Sequence, residues 1–526
     1  MKKDRLKSAA VFLAAVSIFT VLYFRSPDLM EFDSYFHAKM GAIVMEKGLI
    51  HNFPWMYFTF QRDNYANPYL LFHAYLGLWL KVLPAHPLAA VKLAMIVLLG
   101  LIAVAYVKVV QAVHPKWVWL SVMLLPALLV GSVYLRLISV RPHVLSILIL
   151  LIGLRAILTK KWWILGAVSF LYSYSYSAPV ILPAVALIAS AAFSLREKRL
   201  AWQPFAFSLG GMVAGLVLNP YFPNDLHYLY AVLFKMAVRQ SATAPIELQP
   251  LASSEVLSIN AVSFLLLFLG LLAALSSTRK PSANGLFMFA TTGLFFVLLM
   301  FSYRYIEYWP FVASLGASTL LREAYADDPQ AGRVMKKAVA GVLGGLFLLI
   351  GAVGARDGYR RAQSTVPYEA LKGIADVLDK EADPGDIVYT NVWAVPMGLF
   401  YASDKAHYVL MCDPETMRIA YPGLYRLWSE INIGQVVDYA LPLIQKIESQ
   451  TTDPEIAKLR TDIESGLVVD RLPQILKSAF KAKWIVLTTY RRLSGEVDDL
   501  RSLMSQFPAD VELVKHQGPF TLYRLR

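Results

Sequence analysis

Cysteine is all but missing from this chain: Cys412 is the only one in 526 residues. One thiol excludes an intrachain disulfide, a cysteine-based metal cluster and a dithiol redox pair, and it leaves the compartment open. Charge is scarce too, at 17% of residues, with 37 acids against 50 Lys and Arg. A fixed-period repeat is also lacking, which excludes a solenoid. What is abundant is apolar surface: 57% hydrophobic residues and a mean hydropathy of +0.50 exclude a soluble chain. Apolar runs reach the ~20 residues that cross a bilayer. The net charge of +13 does not read as nucleic-acid binding, because the basic residues fall in short clusters between apolar runs.

The first apolar run, about Ala9 to Tyr23, follows Lys2, Lys3, Arg5 and Lys7. It reads as a retained signal-anchor with its N-terminus in the cytoplasm, since no small-residue cleavage site is clear and further spans follow. Those spans are expected near 88–112, 117–135, 142–158, 162–177, 178–194, 204–220, 257–276, 286–301, 308–322 and 336–355. Lys116, Lys160-Lys161, Arg196 to Arg199, Arg279-Lys280 and Arg322 to Lys337 then all fall inside. Residues 25–87, Arg141-Pro142-His143, 221–256 and 302–308 fall outside, with the apolar run Tyr69 to Val82 an interfacial or re-entrant helix. The Tyr172 to Ser177 alternation lies within a predicted span and reads as helical. From Arg356 the composition becomes ordinary, with helical stretches alternating with strand-like runs at 386–390, 484–488 and 520–525. The expectation is a polytopic α-helical membrane protein of about eleven spans, residues 1–355, followed by an extracytoplasmic α/β domain, residues 356–526.

Chemistry-bearing residues concentrate in the outside segments. Glu31-Phe32-Asp33-Ser34-Tyr35-Phe36-His37 directly follows the first span. Asp33 suits a base that deprotonates an acceptor hydroxyl, and Glu31 and Asp33 on an extended segment would point the same way and share a cation. The competing reading makes Asp33 the N-cap of a helix running to Met45. Asp63 and His73 lie in the same outside loop, where solvation alone accounts for such residues.

Asp33-Ser34-Tyr35-Phe36-His37-Ala38-Lys39-Met40, with Ile43-Val44, Gly48 and Pro54-Trp55 after it, resembles the first outside loop of oligosaccharyltransferase catalytic subunits, members of the GT-C glycosyltransferase superfamily. Ser132 to Ser139 is similar to the approach to that family's second acidic motif, Pro245-Ile246-Glu247-Leu248-Gln249-Pro250 to its glutamate-bearing loop, and Tyr303 to Tyr308 to its arginine loop. The resemblance implies a GT-C fold, a polyprenyl-linked sugar donor, and a divalent cation, Mg or Mn, held in part by Asp33. It makes Asp33 and Glu247 catalytic candidates and Arg304 the contact to donor phosphate. Glu31, Tyr35, His37 and Asp63 complete the candidate substrate-binding set.

Two departures matter. Where the family carries a pair of carboxylates, this chain has Val140-Arg141-Pro142-His143, so Arg141 becomes a phosphate-binding candidate and His143 an acid, base or single metal ligand. Where the family carries Trp-Trp-Asp-Tyr-Gly, this chain reads Asn391-Val392-Trp393-Ala394-Val395-Pro396, which argues against sequon recognition. The expected function is transfer of a sugar from a polyprenyl-phosphate or polyprenyl-diphosphate to a glycan, lipid or protein acceptor at the extracytoplasmic face of a bacterial inner membrane. The alternatives are a divergent protein oligosaccharyltransferase, a lipid-linked sugar transporter or flippase, and an inactive scaffold.

Overall fold

The computed structural model describes residues 2–113, 132–236, 250, 252–277, 280–324, 366–433, 440–451, 453–489 and 497–526, with isolated positions at 345, 353, 356 and 360. Its contacts divide the chain into two units. The first comprises Met1–Met30, Asn67–Leu233 and Ile246–Ser364; the second comprises Glu31–Ala66, Phe234–Pro245 and Thr365–Arg526. Glu31–Ala66, the segment after the first helix, thus groups with the C-terminal part of the chain.

The first unit is helical. Arg5–Tyr23, Pro87–Val113 and Ala283–Phe301 are long and apolar enough to cross a bilayer, and the pair Ser253–Ile259 and Ala261–Ser276, bent by 82°, makes a fourth. At the bend, Val256 O accepts both the Asn260 backbone N–H at 3.1 Å and the Asn260 side-chain amide at 3.0 Å, so one residue closes the first helix twice. Leu70–Val82, Pro142–Leu158, Trp162–Ser173 and Gln203–Val217 are shorter apolar helices. Ile181–Glu197 and Trp309–Ala324 are helical as well. Pro142 and Pro204 stand in the first turns of their helices, where a missing N–H costs nothing. These apolar helices mark an integral membrane protein. Most of the spans expected at 117–135 and 336–355 lies outside the described residues.

One expectation is corrected. The helix predicted through Ser177 stops at Ser173, and residues 174–180 form a non-helical connection. Hydroxyls compete for the backbone there: Ser175 Oγ donates to Leu171 O at 2.6 Å, while Tyr174 O accepts Leu71 N–H at 2.8 Å.

Apolar helices in lipid gain nothing from hiding apolar surface against each other, so small residues and hydrogen bonds set their contacts. Gly211-Met212-Val213-Ala214-Gly215 shows this against Trp162–Ser173. A Cβ on Gly215 would fall 2.7 Å from Phe170 O, and Ser169 and Ser208 bridge the helices at 2.7 Å. Lys92, buried in Pro87–Val113, donates to Ser26 O at 2.5 Å and Pro27 O at 2.8 Å, just past the end of the first helix.

The second unit is built on a five-stranded sheet of order β2-β1-β3-β5-β4, with β1 Ile387–Thr390, β2 His407–Tyr408, β3 Ala482–Thr488, β4 Val511–Gln517 and β5 Phe520–Leu525. β1 runs parallel to β2 and β3; β5 is antiparallel to β3 and β4. All four β1 residues are buried, as a strand covered on both faces requires. Beyond β2 the first-loop segment joins in: Tyr408 N–H donates to Trp55 O at 2.8 Å and Tyr57 N–H to Tyr408 O at 2.9 Å. Phe58 enters the core of Tyr389, Val409, Leu424, Trp428, Ile485 and Leu487.

Two outcomes follow from this packing. Gly215→Val is expected to cost on the order of 1–3 kcal/mol by overpacking and to lower the unfolding temperature of detergent-purified protein. In the second unit, burial alone would raise the pKa of Asp386, but Lys483 Nζ at 2.6 Å, Asp383 N–H at 3.0 Å and Trp484 Nε1–H at 3.2 Å hold it below the usual carboxylate value. A depressed carboxylate stabilises above its unfolded-state pKa, and that contribution is lost as pH falls through and below about 4. Asp386→Asn should therefore lower the unfolding temperature at pH 7 and flatten its further decline toward pH 3.

Candidate active site

The first-loop motif belongs to the second unit. The helix Phe32–Glu46 begins one residue before Asp33, so Glu31 occupies the N-cap position and Asp33 lies in the first turn. Asp33 is thus not the N-cap, and Glu31 and Asp33 are not consecutive same-side residues of one extended segment. A carboxylate in a first helical turn is favoured by the exposed N–H groups there. Asp33 stays partly exposed while Ser34, Tyr35 and His37 are buried. Tyr35 stacks on Tyr368 with centroids 4.7 Å apart and meets Tyr401 edge-on, which makes it a core residue. Phe36, packed against His37, Phe53 and Phe400, continues that aromatic layer. Asp63 is exposed beside Arg62.

The same motif is tied to the chain's far end by charge. Lys47 Nζ lies 3.0 Å and Lys39 Nζ 3.6 Å from the Asp404 carboxylate, and Trp55 Nε1–H donates to Asp404 O at 2.7 Å. Burial, then the carboxylates of Asp33 and Asp413, push the Cys412 thiol well above its ordinary pKa. Asp413 in turn caps the Pro414–Ala420 helix by accepting Glu415 N–H at 2.9 Å. Buried Glu415 accepts from Arg418 at 2.5 Å, and Arg418 also donates to Lys235 O at 2.9 Å. Asp413 shares with Asp33 an electrostatic effect on Cys412, and the sequence alone assigned it no role.

The other predicted groups lie in the first unit, around a carboxylate that sequence reasoning missed. Glu307 ends the 3₁₀ turn Tyr303–Glu307 and has no exposed surface. Arg136, in the Ser132–Ile138 helix, donates to Glu307 Oε1 through Nε at 2.6 Å and also through Nη2. His143, at the start of Pro142–Leu158, turns Nδ1 toward Glu307 Oε2 at 3.5 Å and Nε2 toward Arg136 O at 2.8 Å. A carbonyl only accepts, so Nε2 is the donor in that bond. Ser146 and Tyr308 join hydroxyls beside them. Arg304, three residues before Glu307 on the 3₁₀ turn, shares its face and remains partly exposed. Arg304 and Glu307 both act electrostatically on Tyr176, and Glu307 also acts on Tyr172 and Tyr308. Of the 172–177 hydroxyls, those of Tyr172 and Tyr176 thus lie within reach of this cluster, while Tyr174 OH donates to Leu218 O and Ser173 Oγ to Met212 O. Arg141 sits at the N-cap of the His143 helix, partly buried.

The structure therefore brings His143 and the Arg304 turn together through Glu307 and Arg136, and groups Asp33 with Cys412 and Asp413 in the other unit. Glu247 lies outside the described residues. The missed pair had a signal: Arg136 and Glu307 are opposite charges each set in an apolar stretch, where charges occur in partners.

The donors do not fit a carboxylate-pair cation site at the second motif. Both His143 ring nitrogens face protein groups, Glu307 is engaged by a guanidinium, and Arg141 repels a cation. Among the described residues no group of three His, Cys, Asp or Glu is gathered.

No protein-family model matches the sequence, and no curated protein matches it. The fold nevertheless resembles those of solved GT-C membrane glycosyltransferases. Archaeoglobus fulgidus oligosaccharyltransferase in the apo form superposes with a TM-score of 0.59 at 11% identity, over 91% of this chain and 69% of that one. Archaeal oligosaccharyltransferase AglB from Archaeoglobus fulgidus, in complex with an inhibitory peptide and a dolichol-phosphate, gives 0.59 at 12% identity, over 92% of this chain and 69% of that one. ArnT from Cupriavidus metallidurans bound to undecaprenyl phosphate gives 0.54 at 12% identity, over 98% of this chain and 97% of that one.

The Asp33 neighbourhood has a direct readout, because Cys412 is the chain's only thiol. Alkylation by a small maleimide at pH 7.5 should be slow in folded protein. Removing a nearby negative charge lowers a thiol pKa, so Asp33→Asn and Asp413→Asn should each speed the reaction by about three- to tenfold; unchanged rates would separate Asp33 from this cluster.

Proposed function

We propose that this chain is an integral membrane glycosyltransferase that takes a sugar from a polyprenyl-phosphate or polyprenyl-diphosphate and transfers it to a glycan, lipid or protein acceptor. The observation that carries this reading is the likeness over nearly the whole chain to two GT-C structures, one holding dolichol-phosphate and one undecaprenyl phosphate. Fold alone does not define an activity, so the residues must supply the rest.

Asp33 is assigned the acceptor side. A partly exposed carboxylate in a first helical turn accepts a proton from an attacking hydroxyl, and the nucleophile then displaces the carrier phosphate with inversion at the sugar. Arg304 and Arg141 are assigned the phosphate side, where a permanently charged, forked guanidinium offsets charge growing on the leaving group. Glu31, His37 and Asp63 remain candidate acceptor contacts, and Glu247 an organiser of the acceptor loop. We place the chain in a bacterial cytoplasmic membrane with the N-terminus inside and the Asp33 motif outside. A protein oligosaccharyltransferase is the second reading, weakened by Asn391-Val392-Trp393 standing where a sequon-binding motif is expected.

Purified protein incubated with a panel of labelled polyprenyl-linked sugars and membrane extract should transfer label from at least one donor. Asp33→Asn should abolish turnover while leaving the unfolding temperature intact, and Arg304→Lys should lower kcat/KM by about tenfold or more through loss of bidentate contact. Selective solute transport with no transfer from any donor would overturn the enzyme reading.

A further inference from the structure

The Arg136–Glu307–His143 cluster has a geometry that simple charge pairing does not require. Arg136 and His143 are seven residues apart, and the bond from His143 Nε2 to Arg136 O closes that stretch into a loop. Glu307 then meets both ends, binding the Arg136 guanidinium through Oε1 and lying 3.5 Å from His143 Nδ1 through Oε2. Arg141 lies inside the closed loop, two residues before His143. On the other side, Glu307 is the last residue of the 3₁₀ turn that carries Arg304. The Ser146–Tyr308 hydroxyl contact fastens the same two elements a second time. All three side chains are withdrawn from solvent, with relative exposures of 12% for Arg136, 0% for Glu307 and 3% for His143.

We propose that Glu307 is a positioning residue: one buried carboxylate fixes the loop bearing Arg141 and the turn bearing Arg304, so that both guanidinium groups are set for the phosphate of a polyprenyl carrier. This rests on the phosphate-side reading given above. It assigns His143 to the clamp, through the Nε2–H bond to Arg136 O that closes the loop, and not to metal ligation.

The proposal makes a prediction opposite in sign to electrostatics. A carboxylate beside an anion site weakens anion binding by repulsion, so if Glu307 acted only through its charge, removing it would tighten binding of a phosphate. If it positions Arg141 and Arg304, removing it loosens both and weakens binding.

The test uses the full chain in detergent with undecaprenyl phosphate as the probe. Wild-type protein should bind it saturably, and Glu307→Gln should raise Kd by about tenfold or more, the loss expected when a charge-assisted contact is misplaced. Glu307→Asp should recover part of the affinity. Arg136→Gln should match the Glu307→Gln loss, and the double variant should be no worse than either single, because both break one clamp. A merely structural role would lower the unfolding temperature and leave the Kd of the folded fraction unchanged, and that result overturns the proposal. Tighter binding by Glu307→Gln overturns it as well. Should Glu307→Gln fail to fold, Glu307→Asp and Arg136→Lys keep the charges and change the reach; unchanged Kd in both overturns the proposal. A wild-type chain that does not bind the lipid overturns the phosphate-side reading itself, a result distinct from binding that survives the substitutions.

Discussion

A carboxylate with no exposed surface inside a helical membrane unit must be met by a cation and by hydrogen-bond donors, or it does not persist as a charge. Glu307 is in that position, and Arg136 meets it. Much of the first unit's polar architecture is arranged around this requirement. The Ser132–Ile138 helix delivers the guanidinium, Pro142–Leu158 begins with the imidazole, and Tyr172, at the end of Trp162–Ser173, and Tyr176, in the 174–180 connection, feel the same carboxylate. Because removing one partner of a buried pair costs about 3–5 kcal/mol, these elements are bound to one another more firmly than their short lengths suggest.

That arrangement bears on Arg141-Pro142-His143, where the resemblance led to an expectation of carboxylates. A cation site there would need free carboxylates, whereas this chain offers a carboxylate already neutralised and an arginine at the helix N-cap. On the functional reading proposed, the charge opposing a phosphate is then carried by guanidinium groups. Such a charge is covalently attached and does not vary with metal supply, but it depends wholly on the side chain being held in place. The demand for rigidity and the presence of a buried clamp are two sides of one constraint.

How much of this was legible in the sequence differs by residue. Helices such as Pro87–Val113 and Pro142–Leu158 were readable because apolar runs end at Pro, Lys and Arg. The break after Ser173 was not, since alternating Tyr and Ser sit in an apolar stretch and their hydroxyls, which end the helix, carry no periodicity. Arg304 and His143 were visible as polar residues at span ends. Glu307 was hidden beside Arg304, and its link to Arg136 spans 171 positions, which no local pattern records. Asp33 was conspicuous, but its placement in a first turn instead of at the cap turned on a one-residue boundary.

The first-loop segment carries a consequence for how the chain is made. Lys47 and Trp55 find their partner at Asp404, 357 and 349 positions onward, and Met56 bridges to Tyr408 beside β2. During synthesis the segment around Asp33 therefore emerges long before the surface that covers its aromatic layer exists. Its Phe36, Phe53 and Trp55 must wait as exposed apolar side chains while most of the helical unit is inserted. Non-local contacts of this kind are slow to form and leave partners open to misassociation. The motif carrying the proposed catalytic acid is thus among the first segments translated and among the last to be completed.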